Sequence, residues 1–389
     1  MTAAAGVGTG NDWRQALAQA LSSCPDGSNE LVLLFASHHY HDAYPELLAA
    51  LRGSLRPLTL LGCSGQGVIG TGIELEEEPA ISVMAMRLPG ASLRTVTLQQ
   101  SDLKTVHGPE AIRALTGVAS SDVHAWVAFA DPFTFDADRL LGCLSEGYPD
   151  VPVVGGLASA AGGIRATTLF LDGAAISSGA VLLALGGAWS IRTVVSQGAE
   201  PIGQTWTVTG VERNMIRSLG GRPALEVLGE TMRGLPPTTQ QRASRNLLVG
   251  LAMDEYRDEF GRGDFLIRNL MGVHQESGAL SIGALPRVGQ TVQFQIRDAE
   301  AAHDELRLVL AQAADEFGET LPDGALVCSC NGRGVGLFGE PHHDATALLR
   351  QFGELPAAGL FCNGELGPVR GKNLVHGFTV SIAFFVPAG

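Results

Sequence analysis

Four times along this chain an apolar run ends in a small cluster of glycine, cysteine, serine or asparagine. The runs are LTLLGCSGQGVIG from Leu58, VPVVGGLASAAGG from Val151, ALVCSCNGRGVGLFG from Ala325 and AGLFCNGELGPV from Ala358. Such a run, bounded by glycine and proline, reads as a buried strand. Glycine just beyond it lets the backbone turn with positive φ or approach a ligand closely. One ending repeated at four places points to a single binding region lined by strand exits. Its polar groups (thiol, carboxamide, guanidinium and carboxylate) suit a small polar molecule and need no metal or phosphate.

At 389 residues the chain exceeds one domain of about 100 to 200 residues, so two lobes are expected. The balance of 26 basic against 40 acidic residues leaves a formal charge of −14, which repels polyanions and argues against a nucleic-acid partner. The N-terminal stretch MTAAAGVGTGNDW has neither the basic flank nor the apolar core of a signal peptide. No uninterrupted apolar run reaches membrane-spanning length. A cytoplasmic protein without membrane insertion is the expectation. Cys24, Cys63, Cys143, Cys328, Cys330 and Cys362 are sparse and mostly sit in or just after apolar runs. They read as small buried thiols of a reducing compartment, not as a disulfide framework. The 50 glycines follow no linker or collagen period and are assigned to turns.

Local patterning gives an α/β, mixed α+β fold. Asn11 or Asp12 can cap a first helix with Trp13, Ala16, Leu17 and Leu21 on its apolar stripe. LVLLFAS from Leu31, a helix over Tyr44–Leu55 and the strand Leu58–Leu61 form a strand, helix, strand unit. The acidic run Glu74, Glu76, Glu77, Glu78 is expected on a solvated hairpin edge. A helix from Pro109, the strand AWVAFA, a helix from Ala137 and the strand VPVV repeat the first rhythm. Asp172 and Gly173 between apolar runs predict a tight hairpin. The lobe boundary is expected around residues 200 to 246, where LPPTTQQRASRN reads as turn-rich. Beyond it come LLVGLAM, FLIRNLMGV, GALSIG and QTVQFQIRD as strands, a helix after Asp298, and ALVCSCNG, a short helix from Asp344, AGLFCNG and GFTVSIAFFV. Two lobes of mixed, largely antiparallel sheet with packed helices result, and a pseudo-repeat between them is suggested by the strand endings alone.

The order of GCSGQGVIG, VVGGLAS, RPALEVLGE, FLIRNLMGV, CNGRGVGLFG, AGLFCNGELGPV and HGFTVSIAFF resembles the FIST proteins from about residue 28 onward. The resemblance implies an N-terminal FIST part over 28–218 and a C-terminal FIST part over 219–387. It also implies a sensory role in signal transduction, exercised through a small ligand such as an amino acid. No kinase, cyclase, receiver or F-box segment accompanies these parts, so output is expected through a separate signalling or effector protein.

An amino-acid ligand needs an Arg fork or backbone amides for its carboxylate, and a carboxylate or carbonyl oxygens for its ammonium. Arg333 in CNGRG and Glu365 in CNGEL supply both charges, with Asn331 and Asn363 beside them and Cys330 and Cys362 at the strand ends. Gly62, Cys63 and Ser64 are the counterparts in the first lobe. Asn-Gly is also an ordinary turn. The alternative is a cysteine-dependent hydrolase or transferase using Cys63 or Cys362 on a glycine-rich turn, although no histidine base can be assigned and G-x-S-x-G is not matched. A metal at His38, His39, His41 and Asp42, or at His342, His343 and Asp344, is disfavoured because adjacent histidines point apart and Cys328 and Cys330 form C-x-C. No cofactor is expected. The P-loop pattern is missing, and the stretches from Gly65 and Gly332 read as leading into strands, not helices. Trp126, Trp189 and Trp206 are assigned to the core or to lobe contacts, not to a stacking platform. A scaffold with a vestigial pocket is the third possibility.

Overall fold

The computed structural model describes residues 2–388 apart from 26, 162–165, 258, 262 and 319, and all but the side chain of 245 among these. The last two residues of VPVVGGLASAAGG therefore lie outside the described residues. The chain divides into two compact units: Met1–Ser196, Arg307–Val375 and Thr379–Gly389 form the first, Gln197–Leu306 and His376–Phe378 the second.

The first unit opens with β1 (Ala3–Thr9), α1 (Trp13–Leu21), β2 (Asn29–Ser37), α2 (Tyr44–Leu55), β3 (Pro57–Gly65), β4 (Gly67–Gly70), β5 (Ile73–Glu76), β6 (Ala80–Met86) and β7 (Ala91–Leu98). It continues with α3 (Gln100–Thr105), α4 (Pro109–Thr116), β8 (Ala125–Ala130), α5 (Ala137–Gly147), β9 (Val153–Leu157), β10 (Leu169–Leu171), β11 (Ala174–Ile176), β12 (Ala180–Gly187) and β13 (Trp189–Ser196). The second unit holds β14 (Ala199–Glu212), β15 (Met215–Leu219), β16 (Arg222–Pro223), α6 (Ala224–Gly234), α7 (Pro237–Asn246), β17 (Leu247–Ala252), β18 (Phe265–His274), β19 (Ala279–Ile282) and β20 (Thr291–Arg297). After α8 (Ala299–Phe317) the first unit resumes with β21 (Gly324–Cys330), α9 (Val335–Phe338), α10 (His343–Phe352), β22 (Ala357–Cys362), β23 (Glu365–Val369), β24 (Lys372–His376) and β25 (Val380–Pro387).

Three six-stranded mixed sheets build the first unit, and all follow one plan: β1-β6-β2-β3-β10-β11, β7-β12-β8-β9-β23-β24 and β13-β25-β21-β22-β4-β5. At the centre of each lies a parallel pair with helix in the crossover, β2/β3, β8/β9 and β21/β22. An antiparallel strand flanks each pair on one side, and a hairpin taken from another part of the chain flanks the other. The β4–β5 hairpin, which follows β3, pairs with β22. The β10–β11 hairpin, which follows β9, pairs with β3. β23, which follows β22, pairs with β9. Hairpins thus pass around the three sheets in a ring. The internal repetition is threefold within one unit rather than a repeat of one lobe in another.

Each central strand is covered on both faces, which is why it reads as an unbroken apolar run. Leu31, Leu33 and Phe35 share one core with Val127, Phe129, Leu326, Cys328 and Leu360, drawn from all three sheets. Val32, Leu34 and Ala36 pack outward with Leu17, Leu47 and Leu51 of α1 and α2. Trp126, Ala128 and Ala130 pack outward with Ile112, Leu140 and Leu144 of α4 and α5.

Asp172 and Gly173 form the expected tight turn, with φ of 48° and 96°. The assignment of glycines to turns fails inside the strands. A Cβ on Gly62 would stand 1.8 Å from the Leu34 carbonyl oxygen, and one on Gly359 1.8 Å from that of Val327. These residues let neighbouring strands approach. LPPTTQQRASRN is largely helical, as α7, with Pro237 tolerated at the helix start. The stretch from Gly332 leads into the single turn α9, not a strand.

The second unit is one sheet, β14-β20-β17-β18-β19-β15-β16. Ile202, Val249, Phe294 and Val227 are members of its core. Among the described residues no helix is long and apolar enough to cross a membrane.

Candidate functional site

The four strand exits meet within the first unit. Ser64 at the end of β3 donates to the Ser159 carbonyl at 3.0 Å, and the Ser159 amide donates to the Ser64 carbonyl at 3.1 Å. The Ser159 hydroxyl donates to the Phe361 carbonyl at 2.6 Å and accepts from the Gln66 amide at 2.7 Å. Asn363 donates from its side chain to the Ala158 carbonyl at 3.0 Å and from its backbone to that of Leu157 at 3.1 Å. Asn331, just past β21, donates from Nδ2 to Asn363 Oδ1 at 2.9 Å and from its backbone to the Cys362 carbonyl at 3.0 Å. Backbone groups left over at strand ends are thereby paired across sheets, forming a polar collar above the shared core.

Within this collar, exposure divides the expected residues sharply. Gly62, Cys63, Ser64, Arg333, Cys362 and Glu365 are buried, Cys330 and Asn331 half-buried, and Asn363 exposed. Asn331 Oδ1 is buried and accepts no hydrogen bond from the described residues. Cys63 and Cys362 converge, as members of the common core with Cys328 and no exposed surface. Burial pushes the Cys63 thiol well above its ordinary pKa, with Cys328 adding to it. The Cys362 thiol is raised by burial first and by Glu365 next. Neither environment holds a resting thiolate.

Arg333 and Glu365 belong to a buried polar cluster beneath the collar. The guanidinium donates from Nε and Nη2 to the two Asp344 oxygens, each at 2.8 Å. Asp344 also accepts from the Ser329 hydroxyl at 2.9 Å and contacts His343 Nδ1 at 3.0 Å. His343 stacks on Phe338 with ring centres 3.4 Å apart. Burial raises the Asp344 carboxyl, but Arg333 and His343 outweigh it and hold the group below its usual range. Glu365 accepts from the Thr379 hydroxyl at 2.6 Å, the Thr379 amide at 3.2 Å and the Cys362 thiol at 3.4 Å. Burial nonetheless pushes it up to about 7.

Glu74 joins this cluster, contrary to the solvated edge expected of its acidic run. It is 3% exposed, and its Oε1 accepts from the Ala345 amide at the start of α10 at 2.8 Å. Burial, then the nearby Asp344 charge, raise it to about 8. Glu77 and Glu78 are exposed as expected. The local run marks a hairpin, but no local signal announces that α10, some 270 residues later, covers Glu74. Ser159 and Thr379 were likewise not singled out by the sequence.

The two histidine clusters serve packing and pairing. His38 and His41 stack with ring centres 5.1 Å apart, and His342 Nδ1 accepts from the Glu74 amide at 3.0 Å. Among the described residues no group of three or more His, Cys, Asp or Glu has metal-holding geometry. Elsewhere on the first unit, an open groove of about 850 Å³ is lined by His124, Asp150, Arg192, Glu316, Arg370 and others.

Family models place a FIST N domain at residues 30–222 and a FIST C domain at 224–368. The chain belongs to the FIST family, whose domains are associated with sensory small-ligand binding. It is 40% identical over 387 residues to the uncharacterized protein Rv0628c of Mycobacterium tuberculosis, covering 98% of each chain. It is 36% identical over 387 residues to the uncharacterized protein Mb0898c of Mycobacterium bovis, again covering 98% of each. A segment of 104 residues, 24% of this chain and 19% of the other, is 35% identical to an F-box/LRR-repeat protein of Arabidopsis thaliana. Among solved structures, a cyanuric acid hydrolase from A. caulinodans aligns over 99% of both chains with 11% identity and a TM-score of 0.33. A chorismatase aligns over 99% of this chain and 98% of its own, with 8% identity and a TM-score of 0.33. Likenesses at that TM-score bear nothing on activity.

Proposed function

We propose that this protein binds a small polar metabolite at the collar and reports its occupancy to a separate partner, with no bond made or broken. The observation that carries the reading is the buried, unanswered acceptor Asn331 Oδ1 at the meeting point of the four strand exits. A buried polar atom without a partner costs stability unless a ligand satisfies it. An ammonium or amide N–H is the fitting donor, and an amino acid carries one. Asn331, Asn363 and Cys330 then make the direct contacts. Arg333 and Glu365, engaged by Asp344 and Thr379, act from behind by fixing the loops that carry the asparagines. Gly62, Cys63, Ser64 and Cys362 hold the strand ends in place.

A ligand shifts a population only by binding one arrangement better than another. Here that difference lies in whether the Asn331–Asn363 bridge is closed on itself or opened toward the ligand. The cysteine-hydrolase alternative is not favoured, since Cys63 and Cys362 are both wholly buried with raised pKa values.

A thermal-shift screen with the twenty amino acids and related polar metabolites tests the reading. A ligand at 100 times its Kd adds about 2.7 kcal/mol of stability. Asn331→Ala and Asn363→Ala abolish the shift while leaving the unliganded melting temperature within a few degrees. A shift that survives both substitutions places the ligand elsewhere.

A further inference from the structure

The same strand ends hold a pair of thiols that the ligand reading leaves unused as chemistry. Cys330 stands opposite Cys362 in the register of the parallel pair β21/β22. Residues so paired point to one face from strands about 4.8 Å apart, inside the roughly 4.4–6.8 Å Cα separation that a disulfide spans. Cys362 Sγ lies 3.4 Å from the Ser329 carbonyl oxygen, on the peptide group leading into Cys330. Of the six cysteines five are buried, and Cys330 is the half-buried one. Its sulfur accepts from the Gly332 amide at 3.4 Å. The buried thiol donates to Glu365, a ready proton acceptor.

We propose that Cys330 and Cys362 form a redox couple: a peroxide oxidises the half-exposed Cys330, and the buried Cys362 resolves it to an intramolecular disulfide. The Cys330 thiolate attacks hydrogen peroxide, forming an S–O bond and breaking the O–O bond, and the departing hydroxide takes up a proton as water. Cys362 then passes its proton to Glu365 and attacks the sulfenic sulfur. The S–S bond forms, the S–O bond breaks, and the leaving hydroxide takes a proton as a second water. Two thiols lose two electrons, and one peroxide becomes two waters. The disulfide so formed joins two adjacent in-register strands and is opened again by thiol exchange. It draws together the chain just before Asn331 and Asn363.

The test uses the full chain without ligand, so its outcome is independent of the binding screen, which is run on reduced protein. Protein treated with hydrogen peroxide is blocked with N-ethylmaleimide under denaturing conditions, digested without reductant and mapped by mass spectrometry. The expected product is a peptide pair joining the Cys330 and Cys362 segments, two hydrogens lighter than the free thiols and released by dithiothreitol. It is lost in Cys330→Ser, retained in Cys328→Ser and formed several-fold more slowly in Glu365→Gln. Because Cys330 is half-exposed, its serine variant folds and carries the test even where Cys362→Ser does not. Sulfinate at Cys330 with Cys362 still alkylated by maleimide, or a link from Cys330 to Cys328, overturns the proposal. An unchanged rate in Glu365→Gln removes Glu365 from the step.

Discussion

Replacing Asp344 with alanine removes the carboxylate that receives two guanidinium hydrogen bonds from Arg333, one from Ser329 and a contact from His343. The Arg333 and Asp344 side chains are 0% and 2% exposed, so water cannot replace what is lost. Removing one partner of a buried pair costs about 3–5 kcal/mol, most of it the penalty of a buried charge without its counterion. Removing both charges together, as in Arg333→Met/Asp344→Leu, costs much less, because no charge remains to be desolvated. Urea unfolding followed by tryptophan fluorescence reads the difference, since Trp126 and Trp189 are buried in the same unit. Asp344 is held below its ordinary pKa of 3.8, so its contribution is present above that pH and is lost as pH falls through the depressed value. The penalty of Asp344→Ala therefore shrinks in acid. A cost below about 1 kcal/mol at neutral pH, or a double variant at least as unstable as the single, would refute the argument.

Glu365 behaves with the opposite sign. Its pKa rises from 4.5 to about 7 on folding, so stability is full below pH 4.5 and falls as pH rises toward 7, by about 3 kcal/mol. Glu74, raised to about 8, extends the decline. Glu365→Gln flattens the curve between pH 5 and 7 in denaturant titrations, and an unchanged slope contradicts the assignment. Gly62→Ala forces a Cβ against a backbone oxygen and lowers the melting temperature by several degrees. Gly53→Ala, in α2 with nothing within 4 Å, raises stability by about 0.5–1 kcal/mol. Equal effects at the two sites would dismiss close strand approach as the reason for Gly62.

Strands and crossover helices were legible because their signals are local. Leu47, Leu48, Leu51 and Leu55 mark the buried face of α2, and strands covered on both sides leave unbroken apolar runs. The ring of exchanged hairpins was not legible, because nothing in Val68 or Ile69 says that their partners are Leu360 and Gly359, far along the chain. The convergence of the strand endings was readable from their likeness to one another. The fate of Arg333 and Glu365 was not: their partners Asp344 and Thr379 are chosen by the fold, and a charge beside an Asn-Gly turn looks the same facing a ligand or facing inward. Glu74 shows the reverse error, since an acidic run signals solvent unless a distant helix closes over it.

The most direct measurement is a crystal structure of the reduced protein with whichever metabolite most raises its melting temperature. Ligand density is expected against Asn331 and Asn363, with a donor within hydrogen-bond distance of Asn331 Oδ1. Density instead in the groove lined by His124, Arg192 and Arg370, with the Asn331–Asn363 bridge intact, would contradict it.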